Sequence, residues 1–189
     1  MRSQECGGVR HAATVGLRPR FDDMKLSEQT QFVDNKYFSG MLDFRLTVEI
    51  EAPPDRVWAV MREIERWPEW TPTVTSIRRL DGGPLAVGSR VLIRQPSLPP
   101  AKWQVTALNE EERSFTWLTR GPGMRLHARH WVEDNGRGSR ATLSIQFSGF
   151  LGPLFARLTR KLNERYLALE AKGLKERSEG STTSPPARC

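Results

Sequence analysis

Few side chains in this chain are equipped for acid–base, nucleophilic or metal chemistry, and their spacing narrows the field further. Of its three histidines, His127 and His130 share one alternating stretch, Met124–Glu133. His130 has the parity of Met124, Leu126, Ala128 and Val132, which assigns it to the apolar face of a strand. There an imidazole is more commonly a core histidine satisfied by a neighbour; its functional reading is a general acid/base or a hydrogen-bond donor to a carbonyl-bearing ligand. His127 has the opposite parity, so the two cannot grip a metal from one side of a regular strand. His11 lies in a stretch without periodicity. Tyr166 falls on a helical apolar stripe, and its buried hydroxyl needs a partner, which His130, another side chain or a ligand could supply. No relay histidine accompanies a G-x-S-x-G turn, and Gly82-Gly83 runs into Pro84 as a turn. Glu110-Glu111-Glu112 reads as a solvated turn. Cys6 and Cys189 stand at opposite ends with no CxxC or Cys/His cluster, so no metal and no cofactor is expected.

Positioning these groups falls to a regular series of elements. Phe44, Leu46, Val48 and Ile50 alternate with polar residues as a half-buried strand, stopped by Pro53-Pro54. Val57, Trp58, Val60, Met61 and Ile64 then mark a short amphipathic helix, followed by a Trp67-Pro68-Glu69-Trp70 element. Strands are predicted over 74–80, 87–95, 102–108, 114–120, 124–133 and 141–147. They are separated by turn signals, including a loop at 96–100 and the hairpin sequence Asp134–Gly138. Val91 and Ile93 share a face, as do Trp103, Val105 and Ala107, and Phe115 with Trp117. Leu151, Leu154, Phe155, Leu158, Leu162, Tyr166 and Leu169 form a helical stripe predicting one long helix from about 151 to about 175. Six strands joined by short turns imply an antiparallel meander. The long helix must bury its stripe against the concave face of a curved sheet, leaving a cavity between them.

The net charge is +7, and residues 41–177 alone carry 22 Lys and Arg against 16 Asp and Glu. That balance suits nucleic acid or an anionic membrane surface, or a general arginine bias. Without a continuous basic stripe or exposed aromatic platform, no specific nucleic-acid partner is expected. No apolar run has the length of a transmembrane helix and no signal-peptide pattern opens the chain, so a cytoplasmic location is expected. Residues 1–40 read as a poorly ordered leader, apart from a weak helix around 24–37. Met41 is a candidate translation start. Residues 178–189, rich in Ser, Thr and Pro, read as a disordered tail.

The succession VEIEAPPDRVWAVM, ERWPEWTPTV, a Gly-rich turn, GSR, and GRGSRATLSIQF before a terminal helix resembles the SRPBCC superfamily. That is the START-like, birch-pollen-allergen-like group, and within it the polyketide cyclase/dehydrase and lipid-transport proteins. The resemblance spans about residues 41–177. It implies an α+β helix-grip fold: a seven-stranded curved antiparallel sheet wrapped around a long C-terminal helix, with two short helices after the first strand. It also implies a small hydrophobic partner, such as a lipid, polyketide, quinone or related aromatic, held between sheet and helix. Alternatively, the same cavity serves a metal-free cyclase/dehydratase, with His130 and Tyr166 as acid/base groups. The cavity is expected to use Trp67 and Trp70 at its rim, and Val91, Ile93, Trp103, Phe115 and Trp117 along the sheet. Leu126, His130 and Phe147 complete the sheet side, with Leu158, Leu162 and Tyr166 on the helix. The oligomeric state is not indicated.

Overall fold

Strict alternation produces strands that pair with their chain neighbours, and the elements follow from it almost in sequence order. The computed structural model describes residues 30–32 and 42–180. In chain order these are β1 (Thr30–Phe32), β2 (Leu42–Ile50), α1 (Pro54–Arg62), a 3₁₀ helix (Ile64–Glu69) and β3 (Ser76–Arg79). β4 (Arg90–Gln95), β5 (Leu98–Asn109), β6 (Ser114–Gly121), β7 (Met124–Asp134) and β8 (Ser139–Ser148) follow. The chain then forms α2 (Gly152–Leu158) and α3 (Arg160–Glu179). All strands belong to one antiparallel sheet in the order β1-β2-β8-β7-β6-β5-β4-β3. The seven strands of the helix-grip arrangement are β2 to β8, and the sheet curves around α3, which packs on β2, β8 and α1.

Proline at the first turn suits α1, because that position has no intrahelical acceptor for its N–H. The helix buries Val57, Trp58 and Met61. Trp58 Nε1 donates to Glu110 at 2.8 Å and Arg62 pairs with the same carboxylate at 3.0 Å. Glu110 therefore fastens the β5–β6 turn to α1 and is not simply a solvated turn residue.

Several boundaries differ from expectation for local reasons. Thr30–Phe32 pairs with Leu46–Val48 as a strand, where a weak helix is predicted. The loop at 96–100 shrinks to Pro96-Ser97, because Gln95 already pairs with Leu98. Pro99 and Pro100 enter β5 where it has no β6 partner, since β5–β6 pairing begins at Trp103, so their missing N–H groups leave no ladder bond unmade. A bulge between Val105 and Ala107 turns Ala107 outward and Leu108 inward. The expected single terminal helix breaks at Thr159, whose Oγ1 donates to the Phe155 carbonyl at 2.7 Å. α3 then runs past the expected boundary at 177, with Ser178 buried. The expectations for the rest of the leader, for Met41, and for residues 181–189 lie outside the described residues.

Candidate functional site

α3 lies directly on β2 and β8, but over the middle strands the space between helix and sheet is filled by aromatic rings. Trp67 comes from the 3₁₀ helix, Trp103 from β5, Phe115 and Trp117 from β6, and His130 from β7. Ring centroids are 5.3 Å apart for Trp67–Trp117, Trp67–His130 and Trp103–Trp117. His130 stacks on Phe115 at 4.9 Å with an interplanar angle of 9°. Register accounts for this clustering: Phe115 pairs with His130 across β6–β7, and Trp117 with Ala128.

Among these rings lies a cavity of about 60 Å³, lined by Trp67, Ile93, Trp103, Trp117, Leu126, His130 and Tyr166. The space is that of one or two water molecules, far below the roughly 300–1,000 Å³ of a typical small-molecule pocket. Val74, Gln95, Leu98, Ala128, Ile145, Asn163, Leu167 and Glu170 complete its wall. Val91, Phe115 and Phe147 are buried in the surrounding core without reaching the cavity, and Trp70 packs on Trp67 at 5.5 Å. Leu162 is half-buried away from it. Leu158 is a correction: it is 73% exposed, on the outer side of α2. Gly152 and Ala156 are the inward residues of α2, and Asn163, Leu167 and Glu170 continue that face at helical spacing in α3, so the Leu154–Leu158–Leu162 stripe is turned away from the sheet.

The polar atoms inside this apolar wall are unusual. His130 is 4% exposed, and among the described residues neither of its nitrogens has a hydrogen-bond partner. It is therefore not a histidine satisfied by the fold. Its nearest carboxylate is that of Glu170, with Oε2 3.8 Å from Nε2. Glu170 in turn accepts from Thr73 Oγ1 at 3.0 Å. The indole N–H groups of Trp103 and Trp117 are likewise buried without acceptors, as is that of Trp70, whereas Trp67 donates to the Met61 carbonyl. A buried unpaired donor costs about 1–3 kcal/mol, so a cluster of them is a standing deficit that an acceptor could offset. Tyr166 has a partner of its own: its oxygen accepts from the Ser97 backbone N–H at 3.2 Å, tying α3 to the β4–β5 turn.

Glu170 was hidden in sequence among the charges of the terminal helix. Only its helical spacing, one turn beyond Tyr166, could have brought it inward. His127 lies on the outer face opposite Gln146. Partial burial, then Arg120 and Arg125, lower its pKa below the usual histidine value.

A larger cleft of about 410 Å³ lies on the surface between the 3₁₀ helix and the β3–β4 loop. Its guanidinium groups are already matched: Arg62 by Glu110, Arg66 by Glu63 and Glu69, and Arg79 by Asp81. Among the described residues no three His, Cys, Asp or Glu side chains converge as a metal site, and no helix is long and apolar enough to cross a membrane.

The same architecture recurs in solved structures of low sequence identity. An aromatase/cyclase, Zhui, from a Streptomyces species is 16% identical, with a TM-score of 0.61 over 74% of this chain and 94% of that one. Norcoclaurine synthase from Thalictrum flavum is 16% identical, with a TM-score of 0.60 over 77% and 96% of the two chains. A protein of Thermus thermophilus is 20% identical, with a TM-score of 0.59 over 72% and 96%. At these identities the likeness is one of fold. No curated protein matches the sequence. The family model for polyketide cyclase/dehydrase and lipid transport matches residues 41–179, the whole of the sheet from β2 to the end of α3. The chain belongs to that family, within the SRPBCC superfamily.

Proposed function

We propose that the cavity between the sheet and α3 binds a small hydrophobic molecule carrying an oxygen acceptor: a lipid, polyketide, quinone or related aromatic. The observation that carries this reading is the set of buried, unpartnered donors, Trp103 Nε1, Trp117 Nε1 and the His130 imidazole, set in an aromatic wall. A carbonyl oxygen would satisfy one or more of them while the rings bury the carbon skeleton at about 25 cal/mol per Å². The family description, which includes lipid transport, agrees with a carrier or sensor. Native mass spectrometry of protein purified gently from its host is expected to reveal a bound hydrophobic compound. Absence of any such compound, with no thermal stabilisation across a broad hydrophobic panel, would overturn the reading.

A second reading is favoured by one observation, the 3.8 Å approach of Glu170 to His130. In a cyclase or dehydratase the imidazole would take a proton from an activated carbon beside a carbonyl, and Glu170 would stabilise the resulting imidazolium. Tyr166 would stand as the second acid/base group. The expected result for His130→Ala is loss of turnover with ligand affinity within a few-fold. Unchanged turnover would remove His130 from the chemistry.

A further inference from the structure

Apart from Val87 in the β3–β4 loop, the exposed large apolar side chains among the described residues cluster in one short stretch: Phe150 at 83%, Leu154 at 53%, Phe155 at 37% and Leu158 at 73%. The cause is local. α2 turns its two small residues, Gly152 and Ala156, inward and so leaves Leu154 and Leu158, also four apart, on the solvent side. Phe150 lies over Gly123 in the β6–β7 turn, where an added Cβ would come within 2.6 Å of the ring. The Leu151 N–H donates to the Gly123 carbonyl at 3.1 Å. The hairpin tip and α2 are thus one surface.

Cations lie beside that surface. Arg157 and Lys161 are exposed next to the apolar stripe, and Arg120 and Arg125 face each other across the same hairpin, on the outer face of the sheet with His127. The field of the last two reaches His127, whose pKa is lowered by burial and then by both arginines. No Asp or Glu occurs between Asp134 and Glu164. The carboxylates that come near are engaged: Asp43, opposite Gln146, with Arg45 at 3.2 Å, and Glu164 with Arg160 at 2.8 Å.

We infer that this surface docks on an anionic lipid membrane, Phe150, Leu154 and Leu158 entering the acyl boundary while Arg120, Arg125, Arg157 and Lys161 meet the acidic headgroups. Charge complementarity selects this occupant. A second copy would set like charges against each other, and a nucleic acid would leave the apolar centre in water. Leu126 and Asn163, each within two residues of these cations in sequence, line the internal cavity, so docking would place the membrane beside its end. The docking itself does not depend on what the cavity holds.

The test is co-sedimentation of the full chain with phosphatidylcholine vesicles, with and without phosphatidylserine. Binding is expected only with phosphatidylserine and is expected to weaken as salt rises. Combined Phe150→Ser, Leu154→Ser and Leu158→Ser should lower the partition coefficient at least about tenfold, as should combined Arg125→Glu and Lys161→Glu. All five side chains lie off the core, and an unchanged melting temperature verifies that the variants fold. Three results would each overturn the inference: no binding at low salt, binding indifferent to the serine variant, or a dimer that the serine variant converts to monomer. The last would make the patch a protein–protein face.

Discussion

The buried indole of Trp103 and the half-buried carboxylate of Asp81 illustrate two different debts a side chain can carry. Trp103 Nε1 has no acceptor, so the fold bears its desolvation without return. Trp103→Phe removes that donor together with part of a ring. We expect the two effects to leave unfolding free energy within about 1 kcal/mol of the parent, while affinity for an oxygen-bearing ligand falls about tenfold. Denaturant melts alongside ligand titration check both halves; a loss of stability with unchanged affinity would assign the indole to packing alone. Asp81 is the opposite case. Its Oδ2 accepts the Arg90 backbone N–H at 2.6 Å and its Oδ1 accepts from Arg79 at 2.8 Å, and the two, in that order, lower its pKa. A lowered folded pKa means that the contribution is complete above the ordinary carboxylate value and is lost as pH falls through the lowered one. Acid should therefore loosen the β3–β4 connection first. Asp81→Asn should remove that part of the pH dependence, which amide exchange at Arg90 measures between neutral and strongly acidic pH.

At the scale of elements, Gly173 shows how a residue that weakens a helix can be required by its neighbour. Within α3, alanine would ordinarily be the better helix former by about 1 kcal/mol. Here an added Cβ would meet the Trp70 carbonyl oxygen at 2.1 Å, a backbone atom that cannot rotate away. Gly173→Ala is expected to destabilise the protein by about 1–3 kcal/mol, read as a lower denaturation midpoint at unchanged m-value; a neutral or stabilising result would mean that the 3₁₀ segment yields freely. The same contact marks what sequence could and could not disclose. Strands were legible because alternation has one period and any slip exposes the whole apolar face: Phe44, Leu46, Val48 and Ile50 are all buried as the pattern requires. The inward parity of Trp103, Trp117 and His130 was legible for the same reason. The terminal helix was less so. Its apolar stripe is continuous through Leu158 and Leu162, whereas the face that turns inward carries small and polar residues, Gly152, Ala156, Asn163 and Glu170, which hydrophobic spacing does not mark. Glu170 could not be separated from solvated glutamates without its tertiary partners, Thr73 and His130. The bulge that exchanges Ala107 for Leu108 arises from pairing between strands, which local pattern does not contain.

Over the whole molecule, the cavity of about 60 Å³ is too small for the hydrophobic ligand proposed for it, so that proposal requires movement. The C-terminal half of α3 is held from several directions. Glu170 accepts from Thr73, Lys175 donates to the Glu49 carbonyl at 2.7 Å, and Glu179 accepts the Glu51 backbone N–H at 2.7 Å. Arg177 meets Glu69 at 3.2 Å, and Arg56 reaches the Gly180 carbonyl. Toward the other end, Ser97 N–H donates to Tyr166 and ties α3 to the Pro96-Ser97 turn. Tyr166, Asn163, Gln95 and Leu98 all border the cavity there. Because these residues border the cavity, the first two turns of α3 and the Pro96-Ser97 turn are expected to be the side that yields, with residues 170–179 the fixed side. Tyr166→Phe deletes the acceptor and leaves the Ser97 N–H unpaired, a change of about 0.5–1.5 kcal/mol in stability. Its larger effect should be kinetic: faster ligand association and faster amide exchange at 163–167, with exchange at 170–177 unaltered. Hydrogen-exchange mass spectrometry resolves the two halves. Uniform protection along α3 in the parent, or uniform loosening in the variant, would mean that the helix moves as one body and that the cavity opens elsewhere.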